Sequence, residues 1–309
     1  MDNISQIRTF FLSGFNETNN HRFTLFFLTL MCYCVILLVN ISVIVTIIMD
    51  KNLHEPMYIL LCTFCMNALY GTAGFYPKFL WDLLSPVQVI SYSGCLIQAQ
   101  VIYSFACADL SILAVMSYDR YVAICRPLEY HSVMSKQKLI ILACFSWITP
   151  FCINALNIFT TSRLKLCSPY IVRICCVNWM IVRLACFPAE TAVNSIVANI
   201  IVIIYTFHGV FIVLSYIYLV KTCVNSIENR AKFMQTCVPH LISLLTFLLT
   251  GLFNVLIMRI DSEDLPQTFK NFVSIEYLVI PPLMNPLIYG FKLTKIRNRI
   301  LVVLALKTK

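Results

Sequence analysis

Residues 23–49 contain no Lys, Arg, Asp or Glu, and six further stretches are nearly as poor in charge. About 20 apolar residues suffice to cross a bilayer as a helix, and a helix satisfies its own backbone where no water can. The stretches fall at about 23–49, 57–80, 96–120, 139–159, 191–220, 234–258 and 271–291. The acids deep inside them are Asp109 in the third and Glu276 in the seventh. Their number and even spacing do not fit the core helices of a soluble fold, and a β-barrel would need short alternating segments. The chain is 60% hydrophobic and only 12% charged, with mean hydropathy +0.82, far from a surface that must be wetted. The pattern predicts an all-α membrane protein with a seven-helix bundle. A segment 1–22 precedes the bundle and a tail 292–309 follows it. Residues 1–22 hold no apolar run long enough for a cleavable leader, so the first span is expected to act as the insertion signal.

Orientation follows from the cations. Fourteen of the 23 Lys and Arg fall on one side: Lys51, Arg120, Arg126, Lys136, Lys138, Lys221, Arg230 and Lys232 in the loops, and Lys292, Lys295, Arg297, Arg299, Lys307 and Lys309 in the tail. That side is predicted to be cytoplasmic and the N-terminus external. Two sequons, at Asn3 and Asn16, lie on the external side and are candidate glycosylation sites. Of the 15 cysteines, Cys95, Cys167, Cys175, Cys176 and Cys186 are external. Disulfides are expected there, and the odd number leaves one thiol over.

Polar groups inside the spans are costly and point to function. Asp109 precedes Arg120 by eleven residues, about 16 Å along a helix and nearly a whole number of turns, so both share one stripe. That stripe should face the bundle interior, with Asp109 as an ion or proton site. Asn40, Asn67, Asn285 and Tyr289 add polar atoms; Asn285 and Tyr289 share a helix face. Pro281, Pro282 and Pro286 interrupt the seventh span and loosen its backbone, as a switching element requires. Asp119, Arg120 and Tyr121 close the third span, where the arginine can pair with its neighbour or reach toward a partner.

Several motifs then fall in order along the chain. They are Leu53-His54-Glu55-Pro56-Met57-Tyr58, MSYDRYVAIC at 116–125, Arg126-Pro127-Leu128-Glu129-Tyr130, KFMQTCVPHL at 232–241 and PLMNPLIYG at 282–290. With Asn40, they cover nearly the whole chain, which resembles a vertebrate odorant receptor of the rhodopsin-like (class A) G-protein-coupled receptor family. The chain departs from that pattern in two places. Ala68, beside Asn67, stands where such receptors often carry a carboxylate, and span six reads Phe247-Leu248-Leu249 instead of the common FYG.

The resemblance implies a disulfide from Cys95 to the loop after span four, with Cys176 the better match and Cys175 the alternative. Cys167 would then pair with Cys186. It implies a site for a small, largely apolar odorant between spans three, five, six and seven. The candidate residues are Ile102, Tyr103 and Ala106; Ile200, Ile201 and Ile204; Gly251, Leu252 and Val255; and Ile275 and Leu278. It implies coupling to a heterotrimeric G protein, of the stimulatory, cyclic-AMP-raising type. Asp119, Arg120, Tyr121, Tyr216, Lys232, Asn285, Pro286 and Tyr289 form the switch. Any sodium ion would rest on Asp109, with Asn285 as a second ligand; no other cofactor or metal is implied. The tail, with Lys292, Lys295 and Arg299 on one stripe and Leu293, Ile296 and Ile300 on another, is expected to form a short interfacial eighth helix on anionic lipid. Residence in the plasma membrane, at the cilia of olfactory neurons, belongs to the family, and surface delivery is expected to call on a helper protein.

Enzyme chemistry is not expected, since metal-ligand spacings, phosphate-binding glycine loops and nucleophile arrangements are missing from the sequence. Nucleic-acid binding is not expected either: the net charge of +9 is accounted for by the cytoplasmic loops. The remaining alternatives are a receptor of the same fold for a non-odorant metabolite and, further off, a transporter.

Overall fold

The computed structural model describes residues 7–14, 21–224, 227–260, 265–292 and Arg297. Its elements run β1 (Thr9–Leu12), α1 (Arg22–Met49), α2 (Pro56–Leu84), β2 (Val89–Ser91), α3 (Tyr92–Cys125), the single-turn α4 (Tyr130–Val133), α5 (Lys136–Ser162), β3 (Tyr170–Ile171), the short α6 (Asn178–Val182), α7 (Ala192–Val224), α8 (Ile227–Ile260) and α9 (Gln267–Lys292). The seven long helices coincide with the seven predicted stretches and overrun most of them. Among the described residues, five are apolar enough by length and composition to cross a membrane: α1, α2, α3, α5 and α7 with the turn before it. The described residues of α8 include the apolar stretch His240–Gly251. Of the expected tail helix, 293–296 and 298–309 lie outside the described residues, as do Asn3 and Asn16.

Local chemistry sets the helix starts. Pro56 opens α2, where its missing N–H costs nothing. Ser91 caps α3 by accepting from Gly94 N at 3.1 Å, and Ser135 caps α5 by accepting from Lys138 N at 3.4 Å. Helix α3 packs against α2, α5, α7 and α8 and is the hub of the bundle. Its inner face is close-packed, with Ile112, Leu113, Met116 and Phe105 buried. Helices α1, α5 and α7 present the opposite arrangement, with Phe27, Leu38, Phe145, Ile148 and Phe207 exposed on their outer faces. Apolar outer faces on long helices are what lipid contact requires.

Two glycines permit the tight seam between α2 and α3. A β-carbon on Gly71 would overlap the ring of Phe105, and one on Gly74 would overlap Val101. Across another seam, Pro286 in α9 has no N–H for the carbonyl of Pro282, four residues back. Asn40 of α1 supplies the missing donor, its Nδ2 reaching Pro282 O at 2.9 Å and its own Ile36 O at 2.8 Å.

One end of the bundle carries a cap. Strand β1 lies between β2, antiparallel with Phe10 opposite Ile90, and β3, parallel with Leu12 opposite Ile171. Phe10 and Leu12 point inward and are buried, while Phe11 is 39% exposed. The sequence reading placed no element in residues 1–22; four residues of alternating burial are too short a pattern to detect alone. Disulfides join Cys95 to Cys176 and Cys167 to Cys186. Gln98 of α3 ties the same loop down, donating to Gly74 O at 3.1 Å and accepting from Cys176 N at 2.8 Å.

Candidate functional site

At the end of α3 opposite the cap, Arg120 donates through Nε and Nη2 to Oδ2 of Asp119, the first at 2.8 Å. Both side chains are buried. The second carboxylate oxygen of Asp119 is also occupied: Tyr130, in α4, donates its phenol to Oδ1 at 2.8 Å. Burial, and then the adjacent Asp119 carboxylate, push the Tyr130 phenol well above its ordinary pKa, so it stays protonated and remains a donor. The arginine is thus held by an acid that is itself held from the loop. Tyr130 is the residue of this group that the sequence reading did not assign. It sits eleven residues past Asp119, in the motif Arg126–Tyr130, and that motif was its only signal.

Tyr121 turns away from this pair and meets Tyr218 of α7 edge-on at 6.5 Å. Tyr216 is buried. The structure does not describe the side chains of Lys232 and Tyr289, although both positions lie on helices. Asn285 and Pro286 are buried in the proline-bearing half of α9.

Midway along α3, Asp109 is 2% exposed and accepts from Asn67 Nδ2 at 2.7 Å. The same nitrogen donates to Phe105 O at 2.9 Å. The residue facing Asp109 is therefore Asn67 on α2, next to the position where Ala68 replaces a carboxylate. Asn285 is buried on α9, with its Oδ1 lacking a donor among the described residues.

The residues expected to line a ligand site are spread unevenly. Ile102, Ile201 and Leu278 are buried, and Tyr103, Ala106, Ile204, Gly251 and Ile275 are partly buried on the helices named for them. Ile200 is different: at 46% exposure it lies on the outer face of α7, because its neighbour Ile201 takes the inward position. The side chains of Leu252 and Val255 lie outside the described residues. Tyr277, which the sequence reading did not assign, stands between Phe105 of α3 and Phe247 of α8, with ring centroids 6.4 and 6.3 Å away. Such separations favour edge and offset ring contacts, so three helices meet at one aromatic group just above Asp109.

In the cap, Arg173 is buried and reaches Lys270 O at 3.4 Å; burial lowers its pKa. The neighbouring Cys175 is a free thiol of the cap, and burial pushes it up to about 12, so it stays protonated and unreactive.

Comparison with known proteins gives one answer. The family described as "Olfactory receptor" matches residues 28–307. The chain is 32% identical over 304 residues to olfactory receptor 4B13 of Mus musculus, covering 97% of each chain. It is 30% identical to olfactory receptor 11H6 of Homo sapiens, covering 97% of this chain and 91% of the relative. It is 31% identical to olfactory receptor 2AT4 of Homo sapiens, over 86% and 83% of the two chains.

Proposed function

The chain belongs to the olfactory receptor family, and from that premise we propose that it detects a small odorant within its helix bundle and activates a stimulatory G protein, raising cyclic AMP. As a member of that family it is a multi-pass membrane receptor and not an enzyme. Its N-terminal cap faces the outside and its Arg120 end the cytoplasm, in the plasma membrane of sensory cilia. The odorant sits on the cap side of Asp109, against Ile102, Tyr103, Ala106, Ile201 and Leu278. Tyr277, touching both α3 and α8, transmits its presence. The apolar character of these residues suits a compact molecule with one or two polar atoms. A ligand shifts the balance of states only by its differential affinity for them.

In the active state the inner end of α8 moves outward and Arg120 leaves Asp119 to meet the G protein. Tyr216, Lys232 and Tyr289 support that state, and the hinge at Asn285 and Pro286 permits it. Asp109 and Asn67 form the intramembrane polar centre, where a sodium ion would rest on the Asp109 carboxylate with Asn285 as a second ligand. The tail lies along anionic lipid, and a helper protein assists delivery to the surface. The observation that supports this reading most directly is the buried lock of Arg120, Asp119 and Tyr130 at one end of the hub helix.

The test is cyclic AMP in cells expressing the chain or Arg120→Ala, against a panel of volatile and water-soluble odorants, with staining of the N-terminus. A dose-dependent rise lost in Arg120→Ala at equal surface level is the expected result. A rise that survives the substitution sinks the reading.

A further inference from the structure

Between α2, α3 and α5 lies a crevice of about 340 Å³, outside the odorant region described above. We propose that it is a second ligand site, entered through the bilayer, for a small lipophilic alcohol.

Its mouth faces hydrocarbon. Ile148 and Phe151, at its rim, are 60% and 51% exposed on a helix apolar enough to cross the membrane. It also lies deep. Asn67 and Trp147 each sit eleven residues into their helices, about 16 Å along the axis and near the middle of a ~30 Å hydrocarbon core. A molecule that keeps its hydroxyl at the membrane surface, as a sterol does, is poorly matched to that depth. A medium-chain alcohol dissolved in the core is well matched, and the volume stands at the lower end of small-molecule pockets.

The hydrogen-bonding inventory selects the chemistry. Asn67 lines the crevice and is fully buried. Its amide nitrogen directs its hydrogens to Phe105 O and Asp109 Oδ1, and its Oδ1 has no donor among the described residues. On the next turn Tyr70 Oη lies 2.9 Å from Ser104 Oγ. The Ser104 proton is engaged by Gln100 O at 2.6 Å, so Tyr70 is the donor and its oxygen keeps a free lone pair. These two oxygens are therefore acceptors in want of a proton, and the indole of Trp147 in the same lining adds a donor. A buried acceptor left unmatched is costly, and an alcohol supplies the donor without bringing a charge into the bilayer. Aldehydes, ketones and ethers only accept, so they leave both oxygens unmatched, whereas an alcohol can also accept from the indole. The apolar body would rest on Trp147, whose ring lies 5.7 Å from that of Tyr70. Through Asn67, a bound hydroxyl stands one hydrogen bond from Asp109, so occupancy would bias the polar centre of the bundle. This proposal needs only the helix packing and holds whatever odorant the other site takes.

The test uses the full chain in sterol-free lipid nanodiscs with a photoactivatable octanol carrying a diazirine on its chain. Cross-links should fall on the peptides around Tyr70 and Trp147–Phe151, be competed by octanol, and resist octanal and octyl methyl ether. Ile148→Trp, a change on the lipid face that spares the core, should abolish them. Asn67→Leu should weaken octanol competition at least tenfold. Equal competition by octanal or the ether, or labelling unchanged in Ile148→Trp, overturns the proposal. Displacement by cholesterol instead of octanol would make the crevice a sterol site and overturn the assignment to a small alcohol.

Discussion

Tyr130 shows how much one hydroxyl can decide. Its phenol fills the second oxygen of Asp119, leaving the carboxylate fixed in the orientation that grips Arg120. A hydrogen bond to a charged, buried acceptor contributes about 1.5–3 kcal/mol. Tyr130→Phe should therefore release Arg120 more readily and raise ligand-free cyclic AMP by roughly tenfold to a hundredfold, since 1.4 kcal/mol is about a factor of ten. An unchanged basal level at matched surface expression would assign Tyr130 to loop packing instead. A different residue argument applies to Cys175. Its thiol is buried, protonated and free, so Cys175→Ala should leave surface staining as it is. Cys176→Ala, which opens the link to Cys95, should reduce it sharply. Equal losses in both would contradict the pairing.

At the scale of the helix, the seam between α1 and α9 turns on a proline defect repaired from outside. Asn40→Ala removes the donor to Pro282 O, and a lost interhelical hydrogen bond of this kind costs about 0.5–2 kcal/mol. The melting temperature of the purified receptor should fall by a few degrees. Pro286→Ala in the same background should recover part of that loss, because an alanine at this position brings back the N–H that the helix itself would use. A double variant as unstable as the sum of its parts refutes the account. Between α2 and α3, Gly71→Leu should be worse than either, since even a β-carbon there overlaps Phe105; little folded receptor should be recovered from solubilised cells. The helices themselves were legible in the sequence because freedom from charge over about twenty residues is a strong signal. So were Asp109, Arg120 and Asn40, each a polar group with no solvent to explain it. Asn67 as the partner of Asp109, Tyr277 between two helices and Ile200 facing outward were not legible. They depend on how helices are rotated about their axes, and rotation is set by packing, not by composition.

Across the whole molecule, the two ends of the bundle are built differently. One end is stapled by two disulfides and a three-stranded sheet; the other rests on an ion pair and a phenol. Rigidity at the first end and a releasable lock at the second is the division expected of a device that senses on one side and signals on the other. Phe10→Asp, placing a charge at a fully buried position, should lower surface staining far more than Phe11→Asp, whose side chain is 39% exposed. Similar losses from both would mean that strand β1 does not seat as described. The seating of that strand also has a consequence for timing. It is synthesised before either partner strand, and Leu12 pairs with Ile171, about 160 residues later, which at ~5–20 residues per second is roughly 8–30 s of translation. Its antiparallel partner β2 arrives about 80 residues after β1, so the strand waits through the first half of that interval unpaired and completes its sheet only when β3 emerges.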